Sequence, residues 1–368
     1  MNDQIKINWY RTKVDKKVMS ELMKKSDAKA LATVIPQLAL FVLTTTLAYW
    51  AYTLVHISTL PWSLPLLFVA LWVHGSFVAF LGMGGPVHEL CHKTPFRTPW
   101  LNQFFLLVYS FLSWSDFISF RASHVKHHQV TVHSDYDGEV VLPAKFDGES
   151  LKFFFNSFIF DPVYAYKRFR DWVWAAVGPE DKRLKNWSDW IKLKIMPVEN
   201  MKMRREQRRW LLTVLFGHVA LATIFIATGH WFLIPLVNFT GFYAGWGTMV
   251  VGIPQHIGLS SNVPDHRLCC RTYTCGWLPG FLYWNMQYHI EHHMFPAVPF
   301  YNLPRLHEVV KYDMPPAPHG LLATWKQIMP IVRRQRIEPD YVFVPELPHN
   351  EGERATDEIL EREAAQVA

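Results

Sequence analysis

The sequence predicts an all-α integral membrane protein, and three observations carry that expectation. Half of the 368 residues are hydrophobic, aromatics reach 15%, sixteen residues are tryptophan and only 18% are charged, against about 25% charged in an average soluble domain. Four stretches contain no Asp, Glu, Lys or Arg and reach or approach the ~20 residues that a membrane-spanning helix needs. Eight of the eighteen histidines fall in three short clusters beside those stretches.

Taken in chain order, residues 1–29 are polar and basic, with Lys6, Arg11, Lys13, Lys16, Lys17, Lys24, Lys25 and Lys29, and read as a cytosolic segment without a cleavable signal peptide. The expected spans are 30–57, 60–83, 210–228 and 231–253, forming two hairpins. Their connections, around 56–61 and 229–230, carry no Lys or Arg, whereas Lys202, Arg204, Arg205, Arg208 and Arg209 precede the third span. The positive-inside rule then puts both termini, the central loop and all three histidine clusters on the cytosolic side. Net charge of +6 reflects this bias, with a share of attraction to anionic lipid, and implies no nucleic-acid partner. Residues 100–120 are apolar but interrupted by Ser110, Ser113, Ser115, Asp116 and Ser119. Both ends of that segment must lie on one side, so it is expected to be interfacial or re-entrant; a second such element is expected at 151–169. The whole of 30–344 reads as one membrane domain, and the Glu-rich 345–368 as a mobile tail.

The clusters are His88-Glu-Leu-Cys-His92, His124-Val-Lys-His127-His128 and His289-Ile-Glu-His292-His293. Helical i, i+3 and i+4 spacings put imidazoles on one face, and neutral imidazole is the commonest ligand for a transition metal. An all-nitrogen site of this kind suits iron, copper, zinc or nickel better than magnesium or calcium. Eight histidines exceed what one tetrahedral zinc takes. Two ions with open positions fit non-haem iron that binds O2, and a site beside membrane spans suits a long apolar substrate. Cys269, Cys270 and Cys275 with His266 lack the usual zinc knuckle spacing and read as packed thiols, reduced on the cytosolic side.

The order H-x3-H, H-x2-HH, H-x2-HH, with the stretch Asn285-Met-Gln-Tyr-His289-Ile-Glu-His-His293-Met-Phe-Pro296, then Pro299 and Asn302-Leu-Pro304, resembles the membrane fatty acid desaturase and hydroxylase superfamily, nearest in pattern to the acyl-lipid desaturases. The resemblance runs from about Leu31 to His307. It implies four spanning helices with interfacial helices, a cytosolic cap that holds the histidine boxes, and two iron ions with O2 as co-substrate. It also implies a further ligand just after the fourth span, where His256 stands in Gly252-Ile-Pro-Gln255-His256. Stearoyl-type members carry Asn four residues before that histidine; Gly252 here removes that water-mediated contact or passes it to Gln255. By the same resemblance His88, His124, His128 and His292 hold one iron, and His92, His127, His256, His289 and His293 the other. Asn285, Gln255, Asp135 and Asp137 are candidates for partners that orient the ligands. His133, His266 and His307 belong behind the site or at the surface, and His74 and His218 to helix packing.

The activity implied is O2-dependent desaturation of a fatty acyl chain, with a hydroxylase or ketolase of a lipid-like substrate as the alternative on the same scaffold. No H-P-G-G haem sequence of a fused cytochrome b5 and no G-x-G-x-x-G loop occurs. Electrons must therefore come from a separate ferredoxin or cytochrome b5 with its reductase, and Lys202–Arg209 is a candidate docking patch. Two rivals stand further off. His88-Glu89-Leu-Cys-His92 matches the H-E-x-x-H of zinc metalloproteases, a reading that leaves the other two clusters idle. A metal transporter would place its ligands within the spans rather than beyond their ends.

Overall fold

The computed structural model describes residues 6–134, 136–139, 158 and 160–348. Among these, regular structure is helical, with two isolated bridges, Thr272 to Tyr288 and Thr274 to His319. A short α1 (Lys16–Leu22) is capped by Asp15, whose carboxylate accepts from the Lys17 and Val18 amides, satisfying donors that the first turn leaves free. The long α2 (Asp27–Thr53) and α3 (Leu60–Ala79) form a tight hairpin. After them come α4 (Pro86–His92), α5 (Pro99–Leu112), α6 (Phe117–Val130), α7 (Pro162–Val177) and the long α8 (Met201–Ala227). Shorter helices follow: α9 (Trp246–Gly252), α10 (His266–Cys269), α11 (Trp277–Leu282), α12 (His289–Met294) and α13 (Leu303–Val310), then α14 (Leu321–Gln335). The expected element at 151–169 is described only in part, where its second half enters α7, and all but 345–348 of the acidic tail lies outside the described residues.

Among the described residues, three helices are long and apolar enough to cross a membrane: α2 together with α1, α3 with the turn before it, and α8. Their outer faces are bare hydrocarbon, with Ile35, Val42, Leu43, Phe68, Val69, Phe216, Ile224 and Ile226 about half exposed. In water that would be a large unsatisfied patch; against lipid it is the expected surface. The buried core lies instead beneath the histidine-bearing helices, around Leu81, Leu90, Leu106, Tyr109, Trp284 and Leu303. His74 and His218 serve packing: His74 contacts Thr44 Oγ1 and the Leu236 carbonyl at 2.8 Å each. His218 is stacked between Phe111 and Trp114 and donates to the Phe111 carbonyl.

The segment expected to be interfacial or re-entrant becomes α5 and α6, bent by 110°. The serines and Asp116 make the corner. Ser113 ends α5, Trp114 takes a left-handed φ of 52°, and Asp116 caps α6 through the Ile118 and Ser119 amides. Trp114 is driven into that strained conformation by burial: its indole donates to the Asn238 carbonyl and stacks on His218. The corner turns α6 away from α5, so the second cluster can meet the first.

The fourth expected span departs from the sequence reading. Residues 231–253 form no continuous helix but a wide turn at Ile234–Asn238, a 3-10 turn at Thr240–Phe242 and then α9. Hydropathy counted these residues as apolar, but Pro235, Gly241 and Gly245 interrupt helical continuity and Ala244 sits at φ 56°. Close packing uses the breaks: a side chain at Gly241 would press on the Ser113 carbonyl, and one at Gly75 on the Tyr243 ring.

Gln37, fully buried in α2, is a polar hub between the spans and the third cluster. Its Oε1 accepts from Tyr109 Oη at 3.0 Å and Trp284 Nε1 at 2.9 Å, while its Nε2 donates to the Phe281 and Leu282 carbonyls. Gln37→Leu leaves buried groups without partners, so it is expected to cost about 2–4 kcal/mol, read as a lower melting temperature in detergent. An unchanged melting temperature would remove the hub from the account.

Candidate metal centre

Each cluster lies on a short helix that its sequence starts and stops. Helix α4 begins with Pro86 after Gly85 and ends at Lys93 in the left-handed conformation, φ 61°. Helix α12 runs only from His289 to Met294 before Phe295-Pro296. Residues i and i+4 differ by about 40° around a helix, whereas adjacent residues differ by about 100°. Two neighbouring histidines therefore cannot serve one ion, and an i, i+4 pair can.

The structure follows that rule. His88, His92, His124, His128 and His292 form one set, and His127, His256, His289 and His293 form another, each with its ligand atoms within 4.8 Å of one another. The i, i+4 pairs His88/His92 and His124/His128 supply the first set, and His289/His293 the second. The leftover histidine of each H-x2-HH box crosses over, His292 to the first set and His127 to the second. His92 thus departs from the assignment carried over from the family. In this chain the first box is H-x3-H on a continuous helix, so His92 points where His88 points; its Nε2 lies 3.0 Å from that of His124. The sets abut, with the His128 and His293 rings stacked at 4.3 Å.

The donor chemistry fits cations. Nε2 atoms face one another at 2.9 Å (His124 and His128), 3.2 Å (His128 and His292), 2.9 Å (His256 and His289) and 3.1 Å (His289 and His293). A metal–imidazole bond of about 2.0–2.1 Å puts ligand nitrogens at right angles about 3 Å apart. The opposite ring nitrogens show which face carries the proton. His127 Nδ1 donates to Asp137 Oδ2 at 2.7 Å, His256 Nδ1 to the Cys269 carbonyl at 2.9 Å, and His124 Nδ1 to Glu139. Thr131 Oγ1 spends its hydrogen on the His127 carbonyl and accepts from His293 Nδ1 at 3.1 Å. These partners take the Nδ1 proton and leave Nε2 as a lone pair, so the inward nitrogens repel one another until a cation sits among them.

Glu89 completes this outer layer. It is fully buried, and its Oε1 lies 3.3 Å from His88 Nδ1 and 3.4 Å from His292 Nδ1. It bridges the first and third boxes behind the first set. Burial pushes its carboxyl up to about 7, and that of Glu139 likewise; metal charge on the other side of the imidazoles would favour their ionised forms. Glu291 accepts from Thr272 Oγ1 and from His307 Nδ1, both at 2.5 Å, and so braces α12. Of the expected orienting residues, Asp137 touches a cluster histidine. Asn285 and Gln255 shape loops, donating to the Phe300 and Met286 carbonyls, and Asp135 lies outside the described residues. The sequence singles out Glu89 only through its H-E-x-x-H match, and it does not single out Glu139 or Thr131. The run Asp135-x-Asp137-x-Glu139 after the second box was the available signal for Glu139.

A cavity of about 540 Å³ opens onto both sets, touching His88, His124, His127, His256 and His289. Gly252 lines it, so the missing Asn side chain leaves room rather than a ligand. It shares Met83, Gly84, Thr248 and Met249 with a second cavity, which shares Phe160, Phe242, Tyr243 and Ala244 with a third, almost wholly apolar one beside Phe68 and Trp72.

The family model for fatty acid desaturases matches residues 60–325. The chain belongs to the fatty acid desaturase family. It is thereby an oxidoreductase of the membrane desaturase and hydroxylase type, from a metal-dependent family that acts on lipid or acyl chains. No curated protein matches the chain.

Two outcomes follow from the centre. Glu89→Gln keeps the shape but loses the charge behind His88 and His292, so metal affinity should fall about 10–100-fold, measured by competition with a chelator; unchanged affinity would leave Glu89 no orienting role. The second concerns pH. Burial lowers His88 to about 3 and His92 and His256 to about 4, from an ordinary 6.5. The unfolded chain therefore binds these protons first, and their contribution to stability is lost as pH falls below 6.5. Glu89 and Glu139, raised from 4.5 to about 7, act in the opposite direction but are outnumbered. Metal-stripped protein should melt at a lower temperature at about pH 5.5 than at about pH 7.5; the reverse order would contradict the assigned neutral imidazoles.

Proposed function

We propose that the protein is a membrane-bound, non-haem diiron oxidoreductase that uses O2 to desaturate a fatty acyl chain. The observation that carries this reading is the pair of abutting imidazole sets, five and four nitrogens, at the end of a cavity that runs on into apolar space. A single structural zinc needs four ligands, and the split into two sets without thiolate matches iron sites with open positions.

Iron bound in the two sets would supply reductive activation of dioxygen and removal of hydrogen from a methylene. The chain's own residues do the rest. His88, His92, His124, His128 and His292 hold one ion, and His127, His256, His289 and His293 the other. Asp137, Glu139, Glu89 and Thr131 keep the ring nitrogens turned inward. The apolar walls of the cavity, Phe120, Trp190, Ile253 and Met286 among them, exclude water and hold an extended chain by its hydrocarbon surface alone. Loss of two hydrogens from adjacent carbons gives an alkene; return of oxygen would give the alcohol of a hydroxylase. The Phe295-Pro296, Pro299 and Asn302-Leu-Pro304 extension favours the alkene.

In the cell, the protein would lie in a bilayer with the histidine helices, both termini and the central loop on the cytosolic side. Residues 30–344 would act as one membrane domain and 345–368 as an appended tail. Electrons would come from a separate ferredoxin or cytochrome b5. Glu89, enclosed between two imidazoles and Thr94, has no open side from which to act as a protease base.

The test is to express the protein with a reductase system, count metal per chain and identify lipid products by mass spectrometry. Two irons and a new alkene are expected; an alcohol or ketone would move the protein to another branch of the family, and one zinc would sink the reading. Gly252→Leu should keep the metal but lower turnover at least several-fold by filling the cavity.

A further inference from the structure

We propose that the N-terminal segment 6–17 is the docking face for an acidic one-electron carrier protein, with the Trp9–His266 stack as the point of electron entry. The proposal rests on the diiron reading above. The segment is not a loose tail. Tyr10 N donates to the Pro264 carbonyl at 2.8 Å, and Tyr10 Oη and Thr12 Oγ1 donate to Asp313 at 2.8 and 2.6 Å. Arg267 lies 3.7 Å over the Tyr10 ring while pairing with Asp265 and Asp313. Tyr312 Oη donates to the Lys13 carbonyl, and Thr12 N lies 3.3 Å from the sulfur of Met294, next to His293 in sequence. The chain thus straps the back of the third histidine helix.

Trp9 is the residue of the strap whose ring meets a histidine next to the imidazole sets, and its Nε1 donates to the Gln129 carbonyl at 3.0 Å. It is partly exposed and stacks on His266 with centroids 4.0 Å apart and planes 11° from parallel. His266, buried, sits 5.3 Å from the ring of His293. Two ring contacts therefore connect the surface to the second imidazole set. Neither the Tyr10, Thr12 and Lys13 anchors nor the Arg267 network uses Trp9, so the strap has other means of staying in place.

Charge selects the partner. Lys6, Arg11, Lys13, Lys16 and Lys17 are exposed on the strap, and its single acid, Asp15, is committed to capping α1. An acidic surface would be steered to this face. The other basic run, 202–209, is a poorer docking face than its sequence suggests. Arg204 is buried and Arg208 half-buried, both drawn with Arg183 onto Glu180 and nearby carbonyls. The stoichiometry needs such a donor. Converting CH2–CH2 to CH=CH with O2 forms two waters and consumes two further protons and two further electrons. Those electrons arrive one at a time, each oxidising one carrier and breaking no bond in it.

The test mixes the full-length, iron-loaded protein in lipid nanodiscs with two reduced probes, a soluble cytochrome b5 domain and a [2Fe–2S] ferredoxin, and follows their oxidation. Methyl viologen, a small reductant that needs no docking, is the control. Lys6→Glu, Arg11→Glu and Lys13→Glu together should slow probe oxidation at low salt about tenfold, with the difference shrinking as salt rises. Trp9→Ala should slow it several-fold at saturating probe, with most of the rate restored in Trp9→Phe. Both variants should keep wild-type iron content and viologen reduction, which a merely structural role for the strap would not preserve. Wild-type rates with both probes at low salt would overturn the proposal. A wild-type protein without viologen-reducible iron would overturn the diiron reading and the proposal with it.

Discussion

A turn of helix separates the two imidazoles of each i, i+4 pair, and that spacing makes them face a common point with unprotonated nitrogens. Several such nitrogens, buried and about 3 Å apart, form an arrangement that neutral protein cannot hold favourably, because lone pairs meet lone pairs with no water between them. A cation inverts the sign of the interaction. The surrounding architecture serves that condition: α4 and α12, which stop just after their histidines, acceptors on the Nδ1 of His124, His127, His256 and His293, and an apolar core packed around them. Asp137, Glu139 and the Cys269 carbonyl are as much a part of the centre as the imidazoles whose protons they hold, and Glu89 stands 3.3 Å behind His88 Nδ1.

Bringing the three histidine-bearing helices together is a problem of corners, and the corners are built from polar residues in apolar sequence. Ser113, Trp114 and Asp116 turn α6 by 110° away from α5. Asp116 also accepts from Gln207 of α8 at 2.5 Å, so the corner is locked to a spanning helix. Gln37 makes the equivalent lock between α2 and the chain leading to the third cluster. Within hydrocarbon or protein core, each such hydrogen bond is retained because its loss would strand a buried polar group. Membrane anchoring and metal geometry are therefore mechanically one structure.

Much of the site was legible in the linear order of residues. The three boxes and the one-face geometry of their spacings could be read directly, and His256 followed from the family resemblance. Helical phase pairs His88 with His92, His124 with His128 and His289 with His293, but it does not say which of these pairs meet. The carboxylates were less visible, because an acid on a loop looks the same whether it meets solvent or an imidazole. Asp137 stood close enough to be suspected, whereas Glu139 needed the loop's path. Hydropathy located α2, α3 and α8 well. It failed over 231–253, since apolarity measures what lipid accepts and says little about whether Pro235, Gly241 and Gly245 permit a helix.

The sequence by itself determined the chemistry: nitrogen donors without thiolate, in helical register, beside charge-free hydrocarbon. These are local properties, set by residue type and by a period of 3.6. Only the tertiary structure decided which imidazoles share a set, which carboxylates stand behind them, where the cavity runs and that residues 6–15 strap the third helix. Those depend on contacts between residues as far apart as Tyr10 and Asp313, and no local period encodes a contact of that separation.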